Sequence, residues 1–435
     1  MSVRIAYVIS TLDRCGPVNV LHDIVRRLAP DHELAVFTLA AEPAGSRAAD
    51  FEALGVPVRR AVSGRLASAL VGASRLARAL ARFEPDVVHA HGFRAYRLCR
   101  SLPRPTVATV HNELYDDFAT AYGRLPALWM TRSEVRALRR FDLVVACSRS
   151  GGRVLTEKYA LACECIRNGV DQDLYAPASE DRRARLRAEL GYDAGATILV
   201  STGGCSRGKG TPALIRAFAA ANAAGRARLH ILGTGPLYSA CRSLEAPGVV
   251  LHGFVDDVVP HLQAADLFVS ASRSEGMPLA VLEALSCGLP ALLSAIAPHQ
   301  EVAGILADQG CVECFDAADE GAIRRALGAA LALRVVADET DASWLRWLSP
   351  VAWRDLIEPY TRDRWAVLAV CAVASLALVA AAGAIHARRE YLDGYLPDRS
   401  ASRRRWRVRG HADLLAHLDR RPLAAWAVAA TCVSA

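Results

Sequence analysis

The chain has 435 residues, 52% hydrophobic and 22% charged, enough for two or three domains with sizeable cores. Its formal charge of +7 is unevenly placed: 388–421 holds ten arginines against five acids, a net of +5, which leaves +2 for the rest. That distribution excludes a nucleic-acid-binding body, because no basic face recurs along it.

In chain order, the apolar run Val3–Ile9 predicts a buried strand. It is too short for the core of a signal peptide, so reduced cytosolic thiols are the expectation for the twelve scattered cysteines. Val20, Leu21, Ile24, Val25 and Leu28 then follow helical spacing. Short apolar runs at 34–39, 86–89, 106–110 and 142–147 predict further strands, with helices expected over 63–83 and 131–140. This alternation implies a parallel sheet with crossover helices. The stretch 175–192, with Pro177 and a charged run from Glu180 to Arg187, reads as a linker. The pattern restarts after Gly195, with strands expected at 197–202, 228–232, 249–251, 267–270 and 289–294 and helices at 212–224 and 279–286. Two doubly wound lobes, 1–175 and 176–337, would place a ligand in the cleft at the carboxyl ends of their strands.

The third segment, 338–435, differs in character. Trp344, Trp347, Trp353 and Trp365 precede 366–387, twenty-two residues without an acid, Lys or Arg. Its length and its aromatic and arginine flanks predict a transmembrane helix in a mostly helical extension, with the arginine-rich loop on the cytoplasmic side.

Three segments carry candidate chemistry. Ser201-Thr-Gly-Gly-Cys-Ser-Arg-Gly-Lys-Gly210 joins a strand to a helix. Glycines there let backbone N–H groups approach an anion, and Lys209, one of only two lysines in the chain, adds a point charge. The loop departs from a nucleotide triphosphate-binding loop because Gly210 stands where a magnesium-binding hydroxyl belongs. Ile231-Leu-Gly-Thr-Gly-Pro236 is a second glycine turn after a strand. In the third, Ser274 to Pro290, Glu275 lies in a loop and Glu283 on an apolar helix, where a buried carboxylate needs a donor partner such as the vicinal hydroxyls of a ribose. The pairs Cys163-Glu-Cys165 and Cys311-Val-Glu-Cys314 lack the repeated spacing of a zinc site.

In this order and spacing, Pro85-Asp-Val-Val-His-Ala-His91, Thr109-Val-His111, Asn168-Gly-Val-Asp171, Lys209-Gly210, Gly233-Thr-Gly-Pro236, Gly253-Phe-Val-Asp-Asp257 and Glu275…Glu283 resemble a family 4 glycosyltransferase of the GT-B fold over about residues 3–330. The resemblance implies an α/β protein with two Rossmann-like lobes facing a cleft. It implies retaining transfer from a nucleotide sugar to a glycan, lipid-linked or small-molecule acceptor, with no metal or other cofactor.

Carried over, Glu283 would hold the ribose, and Lys209 the diphosphate, with Arg207 standing in for the arginine that the family has at Gly204. Glu275 and the amides of Gly276 and Met277 would engage the donor sugar and phosphate, beside the glycine loops of Gly203, Gly233 and Gly235. Gly16 would let the N-terminal lobe approach the diphosphate, and His111 would face the reacting centre. His91 is a weaker candidate, since a histidine at a buried strand end is more often structural. Part of the last ninety residues resembles a truncated ABC-type exporter permease. The expected place is the inner face of the plasma membrane. The competing readings are a non-catalytic or transport-related fusion and a nucleotide-sugar epimerase on the same fold.

Overall fold

The computed structural model describes residues 2–339, apart from 63–64, 223–224 and 308–309. The chain divides into two compact units, Met1–Pro359 and Tyr360–Ala435, and the described residues belong to the first. The candidate membrane segment 366–387, the tryptophan cluster and the permease-like stretch lie outside them. Among the described residues no helix is long and apolar enough to cross a membrane.

Strands β1 (Arg4–Ile9), β2 (Glu33–Thr38), β3 (Val58–Arg60), β4 (Val87–His91), β5 (Thr106–Val110), β6 (Leu143–Ala146) and β7 (Glu164–Cys165) form one sheet in the order β3-β2-β1-β4-β5-β6-β7. Strands β8 (Thr197–Thr202), β9 (Ala227–Leu232), β10 (Val249–Gly253), β11 (Leu267–Ser270), β12 (Ala291–Ser294) and β13 (Val312–Phe315) form a second, ordered β10-β9-β8-β11-β12-β13. Every strand pair is parallel. A parallel strand is covered by helices on both faces, which is why β1, β2 and β12 read as continuous apolar runs and are buried along nearly their whole length. Strand order reverses beside β1 in the first sheet and β8 in the second, so each lobe has its switch point where a glycine-containing turn follows the strand.

Two sequence expectations change. The charged run from Glu180 is a helix, Glu180–Glu189, rather than a linker. Ser179 caps it, and Arg183 and Arg187 reach Asp266, which also accepts from the Ile198 amide. Its polarity suggests solvent, but half of that charge is spent on one buried carboxylate of the second lobe. The helix expected from 131 begins at Arg124, preceded by a separate helix, Leu114–Tyr122. The apolar residues of this hairpin's tip are exposed, so the helical period cannot reveal it as core.

Candidate active site in the interlobe cleft

The C-terminal lobe supplies the charged side. Three turns at the carboxyl ends of β8, β9 and β11 converge. The first two are packed backbone against backbone: a Cβ on Gly233 would stand 2.0 Å from the Gly203 carbonyl oxygen, and one on Gly235 would stand 2.6 Å from that of Cys205. Glycine at 233 and 235 therefore beds the second turn beneath the first. The same crowding explains a departure from the family pattern. A Cβ at 204 would lie 2.9 Å from the Thr234 carbonyl, so a long side chain there would force the two turns apart. Arg207, in the same loop, is exposed.

Lys209 Nζ donates to Glu275 Oε1 at 2.6 Å. The two candidates named separately from the sequence thus form one ion pair, joining the β8 turn to the β11 turn. Helix Leu279–Ser286 begins just beyond, and Glu283 is half-buried on it. Burial pushes Glu283 up to about 7, opposed by a hydrogen bond with Tyr175 and reinforced by Asp23 of the N-terminal lobe; Lys209 acts in the opposite sense. His299 is buried nearby with Nε2 unpartnered, in the electrostatic field of Glu275 and Lys209.

The N-terminal lobe supplies a cluster of histidines. His91 Nδ1 and His111 Nε2 share a hydrogen bond at 2.8 Å, and His89 Nε2 meets Thr109 Oγ1 at 2.7 Å. The rings stack in sequence, His89 on His91 at 4.3 Å and His91 on His111 at 5.1 Å. Burial pushes His89 and His111 down to about 4, and burial with the neighbouring His89 and His111 holds His91 well below the usual imidazole range. A histidine such as His111 ordinarily changes charge near neutral pH. Desolvation overturns that, because the imidazole is neutral across the physiological range.

The lobes meet at named points. A Cβ on Gly276 would lie 1.7 Å from the His111 carbonyl oxygen, so only glycine permits this approach. Asn168 Nδ2 donates to the Met277 carbonyl at 3.5 Å, and Ser274 Oγ donates to Asp117 Oδ1 at 3.1 Å. Gly16, exposed at the start of helix Gly16–Leu28, faces Leu279 across the cleft. Glu301 accepts from the amides of Arg149 and Ser150 at 3.0 and 2.8 Å and from Arg167 Nε at 2.6 Å. It thus occupies the free amides that begin helix Arg149–Tyr159 of the other lobe. Sequence reading missed Tyr175, Asp117, His299 and Glu301; each matters through a partner more than fifty residues away, or through burial.

A small cavity opens beside this meeting point, lined by Asn112, Leu114, Val154, Glu275, Gly276 and Pro298 among others. Among the described residues no group of His, Cys, Asp or Glu has the arrangement of a metal site.

Two family profiles match the two lobes in turn: Glycosyltransferase Family 4 over residues 15–174 and Glycosyl transferases group 1 over residues 196–325. The chain is a nucleotide-sugar-dependent glycosyltransferase of the GT-B fold. It is 26% identical over 323 residues to the O-antigen biosynthesis glycosyltransferase WclY of Escherichia coli, covering 71% of this chain and 84% of that one. Among solved structures it resembles Anabaena Alr3699/HepE in complex with UDP (TM-score 0.64, 18% identity, 81% of this chain and 94% of that chain). It also resembles WaaG, a glycosyltransferase involved in lipopolysaccharide biosynthesis (TM-score 0.60, 17% identity, 82% and 100%). These matches do not favour the epimerase or the transport-related reading.

Proposed function

We propose that the transferase acts with retention of anomeric configuration, without a metal ion, on a glycan, lipid-linked or small-molecule acceptor. The observation that carries the proposal is the 2.6 Å pair of Lys209 and Glu275, set between the stacked glycine turns and the start of helix Leu279–Ser286. As the donor bond breaks, the departing diphosphate gains negative charge. Lys209 and the backbone amides beyond Gly203 and Gly276 are fixed where that charge develops, so they need little reorganisation. Glu283 takes the ribose hydroxyls, with Arg207 and Gly16 at the diphosphate. Neutral His111, whose backbone abuts Gly276, presents a hydrogen-bonding face to the sugar.

UDP is the donor nucleotide to try first, since Alr3699/HepE was solved with it. A thermal-shift panel of UDP, GDP, ADP and their sugars tests the donor site. A true ligand at a hundredfold excess over its Kd stabilises by about 2.7 kcal/mol. No shift with any member would remove the donor site from this cleft. Product anomeric configuration read by NMR tests retention, and undiminished turnover in EDTA tests metal independence. The place of action would follow from 366–387, holding the enzyme on the cytoplasmic face of the plasma membrane; a chain ending near 337 should associate with membrane pellets more weakly than the full chain.

A further inference from the structure

The hairpin that leads away from the cleft carries a surface with no role in donor chemistry. Helix Leu114–Tyr122 starts at the cavity, where Leu114 lines the wall, and ends eight residues later, about 12 Å away at 1.5 Å per residue. Gly123, at a φ of +84°, both closes this helix and opens the next, Arg124–Leu138. At the turn, four large apolar side chains stand in solvent: Tyr122 is 62% exposed, Leu125 80%, Leu128 41% and Trp129 60%. Leu125, Leu128, Trp129 and Arg132 fall at i, i+3, i+4 and i+7, so they share one helix face. A cluster of this kind at a tip marks an interaction surface rather than scattered surface hydrophobics.

The charge around it selects the partner. Residues 120–140 contain five arginines, at 124, 132, 136, 139 and 140, all exposed. The single acid in that span, Glu134, is buried, and burial pushes it up to about 8, so it is protonated at neutral pH. Arg97 lies over the rings of both Phe93 and Trp129, holding another cation beside the tip. Tyr and Trp at the rim, leucines at the crest and arginines behind form the composition of a helix lying in an anionic lipid interface.

We propose that the Tyr122–Trp129 tip inserts into the interface of an anionic bilayer, with Arg124, Arg132 and Arg136 at the headgroups. The cleft would then stand about one short helix from the lipid, within reach of the head of an acceptor whose tail remains in the membrane. This contact is separate from 366–387 and does not depend on the assignment of Lys209, Glu275 or Glu283.

Because another segment could bring the full chain to a membrane, the test reads the tip itself. Hydrogen–deuterium exchange of the full chain is followed over 118–134 with vesicles of phosphatidylcholine and phosphatidylglycerol, with phosphatidylcholine alone, and without vesicles. The expected result is slowed exchange at 120–132 with the anionic vesicles only, abolished by L125E/W129E while UDP-induced thermal stabilisation is kept. R132Q/R136Q should weaken binding to the anionic vesicles by about twentyfold, at roughly fivefold per arginine. Unchanged exchange at 120–132 while the chain pellets with vesicles would overturn the proposal. So would protection at the same residues that grows with protein concentration in the absence of lipid, which would identify the surface as a contact between copies.

Discussion

The two lobes share a topology and divide the chemistry. The C-terminal lobe brings fixed charge to the cleft: Lys209 paired with Glu275, and Glu283 on an apolar helix. The N-terminal lobe brings a cluster of neutral imidazoles and a backbone carbonyl, beside the carboxylates of Asp23 and Asp117. The same strand-turn-helix unit therefore serves two purposes. On the proposed reading, the glycine turn with Lys209 would stabilise an anion, and the strand that ends in histidine against the other lobe would shape the acceptor face.

The largest effect expected from breaking this division is at Lys209. Lys209→Ala removes the preorganised cation and should lower kcat by about 10²–10³-fold, the range for losing one such group, with little change in stability. Steady-state kinetics with saturating donor checks it. Activity within threefold of the parent would assign the charge stabilisation elsewhere. Gly276→Ala attacks the meeting of the lobes instead. Its Cβ would fall 1.7 Å from the His111 carbonyl, a backbone atom that cannot swing aside. Holding the lobes apart by about 1 Å should cost about 10²-fold in turnover. UDP-induced stabilisation should survive, because the glycine turns of the C-terminal lobe are untouched.

These two residues also show what a sequence can and cannot convey here. The alternation of apolar runs and helical periods made the central strands of both parallel sheets legible but not the edge strands β3, β7 and β13, and the loop motifs were legible because each is a contiguous stretch of chain. Lys209 and Glu275 were each named, but their pairing was not, because 66 residues separate them and only the neighbouring of β8 and β11 brings them together. Glu283 was singled out for the right physical reason, a carboxylate on an apolar helix, yet Tyr175 and Asp23 beside it come from other elements. The neutrality of His111 could not be read at all, since it depends on burial beneath helices distant in the chain. Local order is written locally; the electrostatics of a cleft belongs to the assembled fold.

Glu301 tests whether the two halves need to be held together. Burial disfavours its charge, but Arg167 and the amides of Ser150 and Arg149 hold it below the usual carboxylate range. A hydrogen bond to a charged group contributes about 1.5–3 kcal/mol. Glu301→Ala should therefore loosen the lobes by roughly tenfold or more in their closing equilibrium, raising KM for donor and acceptor alike and increasing the radius of gyration in small-angle scattering. An unchanged radius together with unchanged KM would mean that Gly276 and Ser274 suffice to join the lobes.

The smallest and most discriminating effect is in pH dependence, where the two lobes predict opposite behaviour. Glu283 has its pKa raised by burial to about 7, so in the empty enzyme it is half protonated near neutrality. Its ionisation weakens the empty fold progressively as pH rises from 4.5 to 7. Ribose hydroxyls are donors and favour the ionised form, so nucleotide binding should release a proton. By linkage, nucleotide affinity rises with pH up to about 7, is level above it, and falls by as much as tenfold for each pH unit below. Glu283→Gln should bind more weakly and lose this slope. His111, lowered to about 4, contributes nothing in the same window, so His111→Asn should reduce turnover while leaving the slope intact. Calorimetric titration of a UDP-sugar, whose diphosphate diester carries no proton that titrates in this range, between pH 5.5 and 8 in two buffers of different ionisation enthalpy reads both the slope and the proton released. A slope that persists in Glu283→Gln and vanishes in His111→Asn would reverse the division between a titrating Glu283 and a neutral His111.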